Sequence, residues 1–126
     1  MKDTIETDQA AKPRGAYSQA VVSGDTMYLA GQIGLRGGNP DLADTLEEQT
    51  RQVLANIRGI LADRGLDFGN LLTMTCYLSE GQEWSIFDKV YGECLGDYAR
   101  PARTTVIVKG LPLGALVEIT AVAHLA

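Results

Sequence analysis

The chain has 126 residues, of which 45% are hydrophobic, and a formal net charge of -5 at pH 7. This length allows one compact domain with a real core, so residues 1–126 are predicted to form a single domain. The acidic charge disfavours a nucleic-acid partner, because phosphate binding needs a basic face that neutralises several charges at once. A local cationic pocket is still compatible with this charge.

The sequence contains few histidines and cysteines that could bind a metal, and it contains no targeting segment that we recognise. His124 is the single histidine, and Cys76 and Cys94 do not form a CxxC pair, which argues against a zinc site. The polar N-terminus lacks the apolar region of a signal peptide, and no run reaches the roughly 18 apolar residues of a membrane span. We therefore expect a soluble, cytoplasmic protein with reduced thiols and no membrane contact.

The first regular structure predicted is a β-hairpin. Two β-rich runs, Ser18 to Val22 and Thr26 to Ile33, flank a loop in which Gly24 can adopt the positive φ of a tight turn. The glycines, asparagine and proline of residues 37–40 then interrupt regular structure.

Two amphipathic helices are predicted further along. The first begins at Asp44, which forms a capping-box pattern with Glu47, and it stops at Gly65. Between these residues, apolar side chains recur at three- and four-residue spacing. The second is marked by apolar and aromatic residues from Trp84 to Leu95 and ends at Gly96.

Three more β-rich runs complete the pattern, at Leu71 to Ser79, Thr104 to Val108 and Leu116 to Leu125. The order ββαβαββ predicts an α+β fold with a mixed sheet of six-stranded type and both helices on one face. The other face would be bare and partly apolar, so a homo-oligomer is expected to cover it. The residues expected on this bare face are Thr73, Thr75, Tyr77, Val106, Val117 and Ile119.

Arg103 and Glu118 are the strongest candidates for chemistry. Each lies in an otherwise apolar strand, where a charge is costly unless it is paired or used. If the loop between them closes a hairpin, the two side chains lie close together. They form either a buried structural salt bridge or a site in which Arg103 binds a carboxylate while Glu118 handles a water or a proton.

Three further residues have a functional and a structural interpretation. Arg14 is either a second contact for a substrate carboxylate or a structural cation. Tyr17 either brings a hydroxyl to the site of Arg103 and Glu118 or is a half-buried aromatic residue of the strand. Arg100, held extended by the following proline, is interpreted as a solvated residue or an interface salt bridge.

Four segments of the chain share a family pattern: "GAYSQAVVSGDTMYLAGQIGL", "EEQTRQVLANIRGIL", "VYGECLGDYARPARTTVIV" and "LPLGALVEITAVAHL". In this order they resemble the RidA/YjgF family of enamine/imine deaminases, also labelled L-PSP endoribonucleases. The segments "AKPRGAY" and "VAHLA" lean toward the 2-aminomuconate deaminase-like branch.

The resemblance implies a chorismate-mutase-like fold, a homotrimer with active sites in the clefts between subunits, and no metal or organic cofactor. Family members hydrolyse reactive enamines and imines, such as 2-aminoacrylate, to 2-keto acids and ammonia. The resemblance thus predicts a 2-iminobutanoate/2-iminopropanoate deaminase-type hydrolase whose partner is a small carboxylate-bearing substrate.

Matched by position, the resemblance assigns Arg103 to the substrate carboxylate and Glu118 to the attacking water. It places Tyr17 in the pocket wall, and Gly31 where the backbone approaches the ligand.

Three positions depart from the family pattern. Ala30 replaces a serine, Asp88 replaces an asparagine common in deaminating members, and Thr105 replaces a cysteine found in some members. Ala30 and Asp88 favour an alternative function, a non-catalytic trimer that binds keto acids or acts like a chaperone. A ribonuclease is disfavoured by the negative net charge.

Overall fold

The computed structural model describes residues 1–37 and 41–126. In chain order its elements are β1 (Lys2–Ile5), β2 (Ala20–Ser23), β3 (Thr26–Gln32), α1 (Leu46–Ala62), β4 (Leu71–Ser79), α2 (Trp84–Leu95), β5 (Ala102–Val108) and β6 (Val117–His124). The predicted α+β class, with two helices and a mixed six-stranded sheet in these ranges, is confirmed. Of the predicted break, residues 38–40 lie outside the described part of the chain.

The strands lie in the order β1-β2-β3-β6-β4-β5. Strands β4 and β5 run parallel, and the other neighbours run antiparallel. The predicted hairpin between the last two strands is therefore wrong, because β4 lies between β5 and β6. β1 was not expected either: it is a short edge strand in which only Ile5 is buried, so it carries no alternating apolar pattern.

Both helices pack on one face of the sheet. On β4, Met74, Cys76 and Leu78 are buried beneath them, and the alternate residues point to the other face. Of the residues expected on the bare face, Val117 and Ile119 are wrong because both are completely buried under the helices. The strand register places the other expected residues on the bare face: Thr73, Thr75, Tyr77 and Val106.

The helix ends follow local rules. Thr45, one residue after the predicted cap, accepts a hydrogen bond from the amide of Glu48 and caps α1. Beyond the end of α1, Gly65 has a φ of 70°, as predicted for a helix stop. Arg100 donates to the carbonyls of Gly96 and Tyr98 at 2.8 and 3.3 Å, so its guanidinium closes the end of α2.

Among the described residues, no helix combines the length and the apolarity needed to cross a membrane.

Candidate active site

The two leading candidates lie on opposite faces of the sheet. β4 contacts both of their strands: Met74 is opposite Arg103, and Tyr77 is opposite Glu118. Positions three apart on one strand point to opposite faces, so Arg103 faces the helices and Glu118 faces the bare side. One chain therefore does not bring the two side chains together.

The Glu118 side contains a cavity of about 630 Å³. Five of the predicted site residues line it: Arg14, Tyr17, Ala30, Gly31 and Glu118. They come from the N-terminal segment, from β3 and from β6, which are distant in sequence and meet because β6 is the neighbour of β3. The structure thus brings together most of the candidates on this side.

Gly31 and Glu118 make the closest approach in the cavity. A Cβ atom on Gly31 would overlap Oε2 of Glu118 and lie 3.0 Å from its Cδ, so the position of this carboxyl depends on a residue without a side chain. The regular pairing of β3 with β6 shifts between Leu29 and Gln32, and Gly31 lies in this irregular stretch. Burial raises the pKa of Glu118 above its ordinary value.

The N-terminal wall of the cavity is held by Gln19, a residue that the sequence analysis did not single out. Its side chain is only 1% exposed. It accepts from the amide of Thr7 at 2.7 Å and donates to the carbonyls of Thr7 and Ala11 at 3.0 and 2.9 Å. Its neighbour Tyr17 is 51% exposed, and the Tyr17 hydroxyl accepts a hydrogen bond from the amide of Arg14 at 3.2 Å.

A second residue missed from the sequence is Leu113, which lines the cavity from the loop before β6. It has a φ of 58°, a left-handed conformation that is uncommon for a leucine. Backbone strain of this kind is concentrated at functional sites. The signal available in the sequence was its position between Pro112 and Gly114, which marks a tight turn.

On the helix side, Arg103 forms an ion pair with Asp88 of α2. Its Nη1 donates to Oδ1 of Asp88 at 2.8 Å, and the two side chains are 21% and 41% exposed. Aromatic rings of α2 surround the guanidinium, with Tyr91 at 4.7 Å and Trp84 and Phe87 both at 5.7 Å from its central carbon to the ring centroids. These contacts fix the orientation of the cation at the edge of the sheet.

Two further titratable groups near Arg103 are held in their neutral forms. Burial raises the pKa of the Cys76 thiol and of the Tyr91 hydroxyl to about 12 in each case, so neither is a nucleophile at neutral pH. Thr105 lies two residues after Arg103 and therefore points to the same face of β5. Its Oγ1 is buried and has no hydrogen-bond partner among residues 1–37 and 41–126.

The chain matches known proteins over almost its full length. The family model described as Endoribonuclease L-PSP covers residues 7–125. A RutC family protein of Pyrococcus horikoshii is 38% identical over 125 residues, which are 98% of each chain.

Solved structures match equally far. RidA from an Antarctic Psychrobacter has 32% identity and a TM-score of 0.92, covering 97% of this chain and 98% of that one. E. coli TdcF, solved with bound serine, has 27% identity, a TM-score of 0.92 and the same coverage. These matches confirm the predicted chorismate-mutase-like fold. The chain belongs to the RidA/YjgF family, which is the family described by the Endoribonuclease L-PSP model.

Proposed function

We propose that the protein hydrolyses carboxylate-bearing imines, and enamines after tautomerisation, to 2-keto acids and ammonia. The proposal rests on one observation: the wall of the cavity contains a partly buried carboxyl, that of Glu118, whose pKa is raised. A carboxyl with a raised pKa is suited to exchange protons with a reacting water. Family membership, which implies imine deamination, supports the same assignment.

Arg103 supplies the anchor in this mechanism. Its guanidinium binds the substrate carboxylate by charge-assisted hydrogen bonds and holds the imine carbon beside a water. Glu118 accepts a proton from this water as the oxygen bonds to the carbon of the protonated imine and the C=N electron pair moves to nitrogen. Glu118 then gives this proton to the amine nitrogen of the carbinolamine. The hydroxyl proton passes back to Glu118 as the C–N bond breaks, which gives the keto acid and ammonia. Because imines hydrolyse readily without a catalyst, the acceleration required is modest.

A second copy of the chain is part of the proposal. Arg103 and Glu118 point to opposite faces of one sheet, so they act on one substrate only if Arg103 of one subunit approaches Glu118 of its neighbour. A homotrimer that buries the bare face would create three such clefts. The exposed aromatic and aliphatic side chains of that face, Tyr28 and Val106 among them, are suited to this contact.

The substrate class remains within two types. Small 2-aminoacrylate-type imines use Arg103 alone. In a 2-aminomuconate-type substrate, the second carboxylate would face Arg14 on the cavity wall. Kinetics with imines made from a panel of amino acids would distinguish the two types.

Mixed trimers test the shared site. Arg103→Ala and Glu118→Gln should each abolish turnover when they are alone, and both should remain trimers. When equal amounts are co-expressed, about three quarters of trimers contain both variants, and each of these has one cleft with both native residues. Activity should then return to about a quarter of the native value.

The imine for this assay is produced by an amino-acid oxidase in the presence of semicarbazide, and deaminase activity appears as a loss of semicarbazone. Separately purified variants that are mixed without subunit exchange are the control and should stay inactive. Full activity of Arg103→Ala would refute the anchor, and inactivity of the co-expressed mixture would refute the site shared between subunits.

A non-catalytic keto-acid sensor is the alternative function. TdcF has been solved with bound serine, which supports ligand binding by this fold independently of turnover. The sensor would bind keto acids and leave semicarbazone formation from every imine unchanged. Ribonuclease activity, to which the family description refers, is disfavoured by the net charge of -5.

A further inference from the structure

The ion pair between Asp88 and Arg103 changes which ligands the proposed anchor can hold. In the described part of the chain, Asp88 Oδ1 accepts from Arg103 Nη1 at 2.8 Å, so the anchor already has a carboxylate beside it. Asp88 is 41% exposed and therefore accessible to a ligand as well as to Arg103. Any ligand that binds Arg103 also meets Asp88.

The charges of the pair cancel, which removes the net attraction for an anion. A guanidinium has five N–H donors, so a second carboxylate can still form hydrogen bonds with Arg103. That carboxylate would lie within a few ångströms of Asp88, where like charges repel. A ligand that also carries a cationic nitrogen next to its carboxylate avoids the repulsion, because the nitrogen pairs with Asp88.

We propose that Asp88 is a specificity-determining residue that makes the site select zwitterionic ligands, with a protonated nitrogen on the carbon next to the carboxylate, over the matching 2-keto acid anions. This inference rests on the proposed function and identifies the form of its substrate. The protonated imine has both charges, whereas the keto acid product has only the negative one. The same residue thus favours substrate binding and product release.

The unpaired hydroxyl of Thr105 adds a polar group on the same side. Its Oγ1 is buried and without a hydrogen-bond partner among the described residues, and it lies on the strand face of Arg103. A buried hydroxyl normally has a partner. A ligand held beside Arg103 and Asp88 therefore lies on the same strand face as this hydroxyl.

A purely structural ion pair makes a different prediction. At the exposures of these two side chains, such a pair contributes little to stability. A structural role would change the unfolding midpoint of the protein slightly and would not alter the relative affinities of ligands that differ in charge. A measurement of relative affinity therefore separates the two roles.

The test uses two probes with one carbon skeleton, L-2-aminobutyrate and 2-ketobutyrate, titrated by calorimetry into the full-length protein. Native protein should bind aminobutyrate about tenfold more tightly than ketobutyrate. Asp88→Asn, which preserves shape and removes the charge, should bind ketobutyrate about five- to tenfold more tightly than the native protein and aminobutyrate correspondingly less. Asp88→Ser should show the same reversal.

Asp97→Asn is the matched control, because it removes one exposed carboxylate just after α2, outside the ion pair, and should leave the ratio of affinities native. An unchanged ratio of affinities in both Asp88 variants would overturn the inference about Asp88. Loss of binding of both probes by Arg103→Ala would in that case still support Arg103 as the anchor. Native binding of both probes by Arg103→Ala would instead overturn the anchor itself, and the inference with it.

Discussion

Replacing Gly31 with alanine tests whether the position of the Glu118 carboxyl matters for turnover. The backbone at Gly31 is not in the left-handed region reserved for glycine, so alanine can adopt it. The added Cβ would overlap Oε2 of Glu118 and lie 3.0 and 3.3 Å from its Cδ and Cγ. The nearest atoms all belong to the end of a flexible side chain, so Glu118 should move and the strand should stay in place.

The expected size of the effect follows from this displacement. To restore normal contact, the carboxyl must shift by about 1 Å, and a misplacement of this size at a reacting group costs on the order of 100-fold in rate. We therefore expect kcat/KM for imine hydrolysis to fall about 100-fold. The free energy of unfolding should change by less than about 1 kcal/mol, because the strand loses no hydrogen bond.

The assay is semicarbazone loss with an oxidase-generated imine, together with urea unfolding of both proteins. Gly110→Ala is the matched control, since a Cβ at Gly110 would meet no atom within 4 Å, and it should be as active as the native protein. Activity of Gly31→Ala within twofold of native would refute the reasoning. A large loss of stability in that variant would show that the backbone, and not Glu118, had absorbed the clash.

Three other variants give independent tests. Because burial raises the pKa of Glu118 above its ordinary value of 4.5, the folded state holds this proton more tightly than the unfolded state, and stability is lost as the pH rises from below 4.5 through the folded pKa. Glu118→Gln should abolish this loss in urea unfolding curves measured across pH, whereas identical curves for both proteins would contradict the shift. Gln19→Leu removes three hydrogen bonds to the N-terminal segment and should lower the free energy of unfolding by about 2–4 kcal/mol; a change below 0.5 kcal/mol by urea titration, on the order of the scatter between surface variants, would contradict the role given to this side chain. Val106→Lys puts a charge on the bare face and should shift sedimentation from trimer to monomer, while Ala55→Lys, on the exposed side of α1, should not; a trimeric Val106→Lys would place the interface elsewhere.

The helices and the long strands were predictable because their signals are local. Apolar spacing located α1 and α2, and Gly65 and Gly96 marked their ends. The N-terminal strand β1 has a different character: its residues pair at an edge and three of its four side chains are exposed. An edge strand of this kind is stabilised by backbone pairing with β2, which no pattern of side chains records.

Strand order is the part of the fold that local patterns do not contain. The loop between β5 and β6 contains two glycines and a proline and was interpreted as a hairpin turn, but it carries the chain past β4 to the other side. Burial decides between these arrangements. With β6 between β3 and β4, Val117 and Ile119 are fully buried, whereas at the edge of the sheet they would have a neighbouring strand on one side only.

The same error changed the interpretation of the site. In a hairpin, Arg103 and Glu118 would have been neighbours, and a structural salt bridge would have been a sufficient explanation for both. In the observed order, burial raises the pKa of Glu118, and Arg103 is paired with Asp88 instead. Arg103 therefore does not offset the cost of keeping Glu118 partly buried, which favours a functional role for Glu118.

In the proposed mechanism, the division of the site between two faces also couples assembly to catalysis. Since a β-strand alternates its side chains, no small rearrangement within one chain can move Arg103 to the face of Glu118. A variant that keeps the trimer apart should thus lose turnover even when every proposed catalytic residue is present. Val106→Lys tests this coupling: a monomer that still hydrolysed the imine at the native rate would show that one face alone is sufficient, and the shared site would have to be abandoned.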